Sequence, residues 1–171
     1  VTQREIGVNA PEEKDLYTIG TVSHITQILR LGQSSVRVMV EGRQRAHLRR
    51  LWQTEPFLQA NVEAIPAEPS SEAMRKSPRT EALPRQTYAL FGEYAEQASG
   101  VPEEVVATVM DSRDPGFLAD YIAQNIALRY TDKQEILEDF SPFARLRKLN
   151  GFLVREHNVL SFQPEMERQD R

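Results

Sequence analysis

From Val36 to Glu41 the chain alternates strictly: Val36, Val38 and Val40 stand against Arg37, Met39 and Glu41. A period of two is the mark of a strand with one apolar and one mixed face. The stretch "LGQSS" before it supplies a glycine-containing turn, so residues 21–31 and 36–41 are expected to form a hairpin. Farther on, Leu58, Ala60, Val62 and Ala64 alternate with Gln59, Asn61 and Glu63, which predicts another half-buried strand. Two or three strands with one apolar face do not bury themselves. This module is therefore expected to close against further strands on its amino side or to lean on the rest of the chain.

From Pro84 the period changes to 3.6. Leu83, Thr87, Leu90, Phe91, Tyr94, Ala95 and Ala98 share one helical stripe, which Gly100 ends. Pro102 then stands at a helix start, with Glu103 and Glu104 suited to its amino end and Val105, Val106, Val109 and Met110 inward. In "DPGFLADYIAQNI", Asp114 is the expected N-cap and Pro115 the first helical residue, with Phe117, Leu118, Tyr121 and Ile122 inward. "TDKQ", residues 131–134, has capping-box spacing and opens a helix bearing Ile136 and Leu137. "SP" at Ser141 and Pro142 opens the last helix, whose Leu146, Leu149, Leu153 and Leu160 form a heptad-like seam. Gly151 inside it costs about 1 kcal/mol relative to Ala and marks a place for a bend.

Between the two patterns lies "PAEPSSEAMRKSPRTEALP", residues 66–84, where Pro78 and Pro84 argue against a continuous helix. The expected class is α+β. A β-rich module covers residues 1–66, a connector 67–84, and a helical bundle 85–171 ending in a long helix.

Charge supports this division. Residues 1–70 hold eight Lys or Arg against eight Asp or Glu, whereas residues 71–171 hold 13 against 17. The whole net charge of -4 therefore lies in the second part. A pI of about 5.5 argues against a generally basic nucleic-acid binder. With no cysteine, disulfides, zinc–thiolate sites and thiol catalysis are excluded, and a reducing compartment is favoured. No apolar run approaches the roughly 18 residues of a membrane span, so no membrane partner is expected. The chain opens at Val1 without a signal-like segment and reads as part of something longer.

The motifs of catalysis are missing. None of the eight glycines is followed by Lys, which rules out a phosphate-binding loop. His24, His47 and His157 are far apart and lack metal-ligand spacing, and there is no "GxSxG". Glu103–Glu104 and Glu138–Asp139 read as helix-end and solvated charges. No catalytic residue and no metal ligand is therefore assigned. The run "RQRAHLRR" carries the strongest alternative. On a strand, Arg43, Arg45, His47 and Arg49 share one face, and Gln44, Ala46, Leu48 and Arg50 the other. Such a stripe suits phosphates, with Trp52 nearby to stack on a base. The neutral balance of the module and the acids Glu41 and Glu55 favour a solvated or internally paired face. Trp52 and Phe57 flank the turn "QTEP" and read either as core or as exposed contacts.

"DLYTIGTVSHITQILRL" (residues 15–31) followed by "VRVMVEGRQRAHL" (residues 36–48) resembles the amino-terminal domain of bacterial Lon proteases, in the middle of its β-rich, PUA-like subdomain. "VTQRE" at the start is similar to the end of the family's preceding strand. "VPEEVV", "DPGFLADYIA", "TDKQEILE" and the final helix continue the resemblance in order. The family's first apolar strands and helix have no counterpart here. Gly-Gln-Ser-Ser replaces the usual Pro-Asp/Asn-Gly turn, and Pro78, Pro84 and Pro164 are unusual for the helical half.

The resemblance implies a PUA-like β subdomain followed by a helical bundle. It implies a non-catalytic module that meets unfolded, damaged or tagged proteins and passes them to the ATPase of a cytoplasmic Ser–Lys protease working as a homo-oligomeric ring. ATP and Mg belong to that ATPase domain, and no cofactor is expected in this segment. A recruiting surface needs exposed apolar patches with polar rims. The candidates are Met39, Trp52 and Phe57, with Phe152 and Phe162 on the last helix. PUA-like folds elsewhere bind RNA, and the Lon family is associated with DNA binding. DNA or RNA at Arg43, Arg45, Arg49 and Arg50 is therefore the alternative.

Overall fold

A computed structural model describes residues 1–68 and 77–169, with the backbone alone for residues 163–169. Most of the expected connector, residues 69–76, lies outside the described residues. The chain separates into two compact units, Val1–Ala67 and Glu68–Arg171.

The first unit is a three-stranded antiparallel sheet in the order β1-β2-β3, made of β1 (Ile19–Arg30), β2 (Val36–Gln53) and β3 (Gln59–Ala64). The β1–β2 turn closes where Leu31 N donates to Ser35 O at 2.8 Å. Gly32 sits there at φ +96°, a conformation that L side chains rarely adopt. A short 3-10 turn, Glu13–Asp15, leads into Leu16, and Tyr17 N donates to Thr2 O at 2.9 Å.

Four register shifts interrupt the pairing, and the two at Arg43 and Arg49 decide which side chains of β2 share the buried face. Val22 pairs with Gln44 but Ser23 with Gly42, which leaves Arg43 as an extra residue. Leu48 pairs with Val62 but Arg50 with Asn61, which leaves Arg49 as another. An extra residue shifts the alternation by one place. Between Val22 and Ile25 β1 alternates regularly, so Val22 lies on the face of Ala46 and Leu48 while Ile25 lies with its partner Val40 on the other. Likewise Leu51, paired with Ala60, continues the face of Leu48, and Arg50 does not.

These bulges correct the sequence reading. Val36, Val38 and Val40 do share a face, joined by their partners Ile25 and Ile28, which the extra residue Thr26 brings to one side, but all five are 45% to 60% exposed. The bulge at Arg43 puts them on the face away from the buried Ala46 and Leu48. In the third strand region only Ala60 of the four apolar residues is half-buried; Leu58, Val62 and Ala64 are exposed.

The second unit contains α1 (Pro78–Gln97), α2 (Glu103–Asp111), α3 (Pro115–Asn125), α4 (Tyr130–Glu138) and α5 (Pro142–Gln169). Helix α1 begins at Pro78 and runs through Pro84, so the expected end of the connector at residue 84 is wrong for the helix start. Ser77 as N-cap and Pro78 just after it pre-set the first turn. An interior proline costs about 3 kcal/mol, and burial of Leu83, Phe91 and Tyr94 on the same helix offsets it. Asp114 caps α3 as expected, its Oδ1 accepting from Phe117 N at 2.8 Å. Phe117 itself points outward and stacks on Tyr121 with ring centroids 5.1 Å apart, while Ala119 and Ala123 take the inner positions.

Helix α4 also departs from expectation. Its N-cap is Arg129, not Thr131. Asp132 is turned inward to two arginines, and Gln134 donates to Glu138 at 3.0 Å. Helix α5 passes through Gly151 without interruption. Its Leu146, Leu149 and Leu153 are fully buried together with Phe91, Leu118 and Ile122, and these form the core of the unit.

Candidate functional site

One face of the sheet carries an apolar groove of about 300 Å³. The bulges build it. Because β2 changes phase at Arg49, Ala46, Leu48 and Leu51 all point into it, opposite Ala60 and Val62 of β3. Leu16, Ala46 and Leu48 are buried and form the floor, while Val22, Leu58 and Val62 stand 45% to 56% exposed around it. Gly20 lies in the floor as well, where an added Cβ would sit 2.5 Å from Val1 Cγ1. On the polar margin, Leu51 N donates to Glu13 Oε1 at 2.9 Å.

The chemistry of such a groove is narrow. No side chain lining it is ionisable, so its side chains offer no general acid or base. What it can do is remove apolar side chains from water, at about 25 cal/mol per Å² buried. Among the described residues no group of His, Asp or Glu is arranged to hold a metal ion. The strongest electrostatic perturbation lies elsewhere, at Asp132 and Arg155, which tie α4 to α5.

The sequence-derived contact residues are not gathered in one place. Met39, Trp52 and Phe57 are 51%, 55% and 60% exposed, and Phe162 is 63% exposed, but none of them lines the groove. Phe152 is a correction: it is half-buried against the helical core, with the Arg155 guanidinium 5.0 Å above its ring. The basic run is corrected too. Arg43 and Arg49 are the bulge residues, so no single strand face carries an uninterrupted stripe. Arg43 pairs with Glu41 at 3.0 Å, and Arg49 donates to Glu63 through Nε at 2.6 Å. Reasoning from the sequence passed over the groove itself. Its signal was the placement of Ala46 and Leu48 between basic residues, which alternation alone assigned to a face shared with Arg50.

A family model described as the ATP-dependent protease La (LON) substrate-binding domain matches residues 1–155. The chain belongs to this family. As a Lon substrate-binding domain it is 35% identical over 162 residues to the Lon protease of Desulforamulus reducens, covering 95% of this chain and 19% of that protein. It is 32% identical over 165 residues to Lon protease 1 of Bacillus subtilis, covering 96% and 21%. The chain thus spans about a fifth of the length of these curated relatives. Among solved structures, the N-terminal domain of Mycobacterium avium complex Lon protease shares the fold with TM-score 0.65 at 24% identity, covering 85% of this chain and 75% of that one. The α+β class of this Lon domain agrees with that neighbour. No helix among the described residues is long and apolar enough to cross a membrane.

Proposed function

We propose that this Lon domain is a non-catalytic substrate-recognition module that takes apolar segments of unfolded, damaged or tagged proteins into the groove of its sheet. The parent protein is then an ATP-dependent serine protease of the cytoplasm, assembled as a homo-oligomeric ring. Its ATPase domain uses ATP and Mg and receives the captured chain from this one. The observation that carries the reading is the groove: a buried apolar floor, exposed valine and leucine walls, and no ionisable side chain in its lining. Shallow apolar surface of that kind accepts many sequences, because apolar contact is not directional.

The test is fluorescence anisotropy with a labelled, permanently unfolded polypeptide and a labelled single-stranded RNA, over a salt series. The polypeptide is expected to bind with little salt dependence, and Val62→Asp in the groove wall to weaken it about tenfold, the cost of setting a charge against apolar surface. Binding of RNA alone, with a steep salt slope abolished by replacing Arg43 and Arg45, would make the basic strand the functional surface instead.

A further inference from the structure

The helical unit has a second concavity, of about 690 Å³, between the first half of α1 and the turn from α2 to α3. Pro115 and Phe143, both buried, lie beneath it, and half-buried Pro84 and Tyr88 form a wall. The Tyr88 hydroxyl donates to Ser112 O, which fixes the ring. Arg113 lies over that ring with its Cζ 5.7 Å from the centroid, and its Nη1 donates to Tyr88 Oη at 3.4 Å. The remaining N–H groups of Arg113 have no partner among the described residues. Arg85, on the same cleft, has neither a hydrogen bond nor an ion pair among them. Glu81 stands one turn before Arg85, at a spacing where ion pairs commonly form, yet no ion pair joins the two. The other acid at the cleft, Asp114, is committed to capping α3.

Two guanidinium groups with open donors beside an apolar floor define a mixed ligand. We propose that this cleft binds an extended polypeptide segment in which an apolar side chain lies next to a carboxylate. Pro84, Tyr88, Pro115 and Phe143 enclose the apolar group, and Arg85 and Arg113 take the carboxylate. A guanidinium presents a planar fork of donors that matches a carboxylate in two-point contact. A polyanion fits less well, since Glu81 and Asp114 share the rim and repel a run of negative charge. The site goes beyond the groove in position and chemistry. It rests on the recognition reading only in taking the ligand to be polypeptide.

Three labelled probes against the whole chain test this: a short peptide alternating leucine and glutamate, the same peptide with glutamine for glutamate, and a single-stranded oligonucleotide. The glutamate peptide is expected to bind more tightly than the glutamine one. Arg85→Ala and Arg113→Ala are each expected to weaken it about tenfold, as losing a charge-assisted hydrogen bond does. Arg85 contacts no other described side chain through hydrogen bonds or ion pairs, so its variant reads binding without disturbing the fold. In the same variants an unfolded polypeptide without acidic residues, which can occupy only the groove, should bind unchanged. Equal binding of both peptides, or a glutamate peptide indifferent to Arg85→Ala, overturns the cleft while leaving the groove reading intact. An oligonucleotide that binds better than the glutamate peptide and is lost with Arg85→Ala overturns the polypeptide assignment.

Discussion

Asp132 shows what one residue can decide. Its side chain is 4% exposed, and a lone buried carboxylate would be costly. Arg155 Nη2 donates to its Oδ2 at 2.7 Å, and Arg129 Nε to the same oxygen at 3.1 Å. The Arg155 bonds are the main reason its pKa lies below the usual 3.8; burial opposes the shift and Arg129 reinforces it. A carboxyl with a lowered folded pKa binds fewer protons folded than unfolded. Its contribution is therefore present above the unfolded value and is lost as pH falls through the folded one. Asp132→Asn should lower stability by about 2 kcal/mol at neutral pH, the scale of a buried charged group losing its partner. Urea denaturation at a series of pH values should show the gap between variant and parent closing below about pH 4. A gap that persists unchanged in acid would mean that the ion pairs contribute nothing and that packing alone is at stake.

At the scale of elements, Pro84 is the anomaly. Proline inside a helix removes one backbone donor and crowds the preceding turn, yet α1 is continuous from Pro78 to Gln97. Pro84→Ala should stabilise the helical unit by about 1–3 kcal/mol, read as a shift in the urea midpoint followed by circular dichroism. No change, or a loss, would show that Pro84 serves the cleft it lines more than the helix that contains it. The same proline explains a limit of the sequence. Apolar period and caps placed the helices correctly where a single rule applied, as at Asp114 and Pro115. They failed where two rules compete: a breaker against a buried stripe at Pro84, and a capping box against an inward Asp132 in α4. The strands failed differently. Valine alternation correctly put Val36, Val38 and Val40 on one face. A bulge leaves no mark in such a pattern, so Arg43 and Arg49 shifted the faces unseen and hid the groove.

At the scale of the whole molecule the two units rest on unequal cores. In the helical unit Phe91, Leu118, Ile122, Leu146, Leu149 and Leu153 are wholly excluded from water. In the sheet unit the buried apolar residues are Leu16, Ile19, Ala46 and Leu48, and much of its hairpin is exposed. Since apolar burial is the main favourable term in folding, the sheet unit should open first. The sequence supplies a clean reporter, because its single tryptophan, Trp52, lies in β2. In a urea titration Trp52 fluorescence should change at lower denaturant than far-ultraviolet circular dichroism, which follows the helices. Leu149→Ala makes the assignment independent of where the parent transitions fall. Truncating a fully buried leucine costs about 2–5 kcal/mol, so the dichroism midpoint should drop while the Trp52 midpoint stays. Coincident transitions in the parent, with both midpoints moving together in Leu149→Ala, would instead make the chain one cooperative unit. Separate transitions would give the groove the property a recruiting surface needs: a locally soft sheet that can adapt to many chains without loosening the bundle.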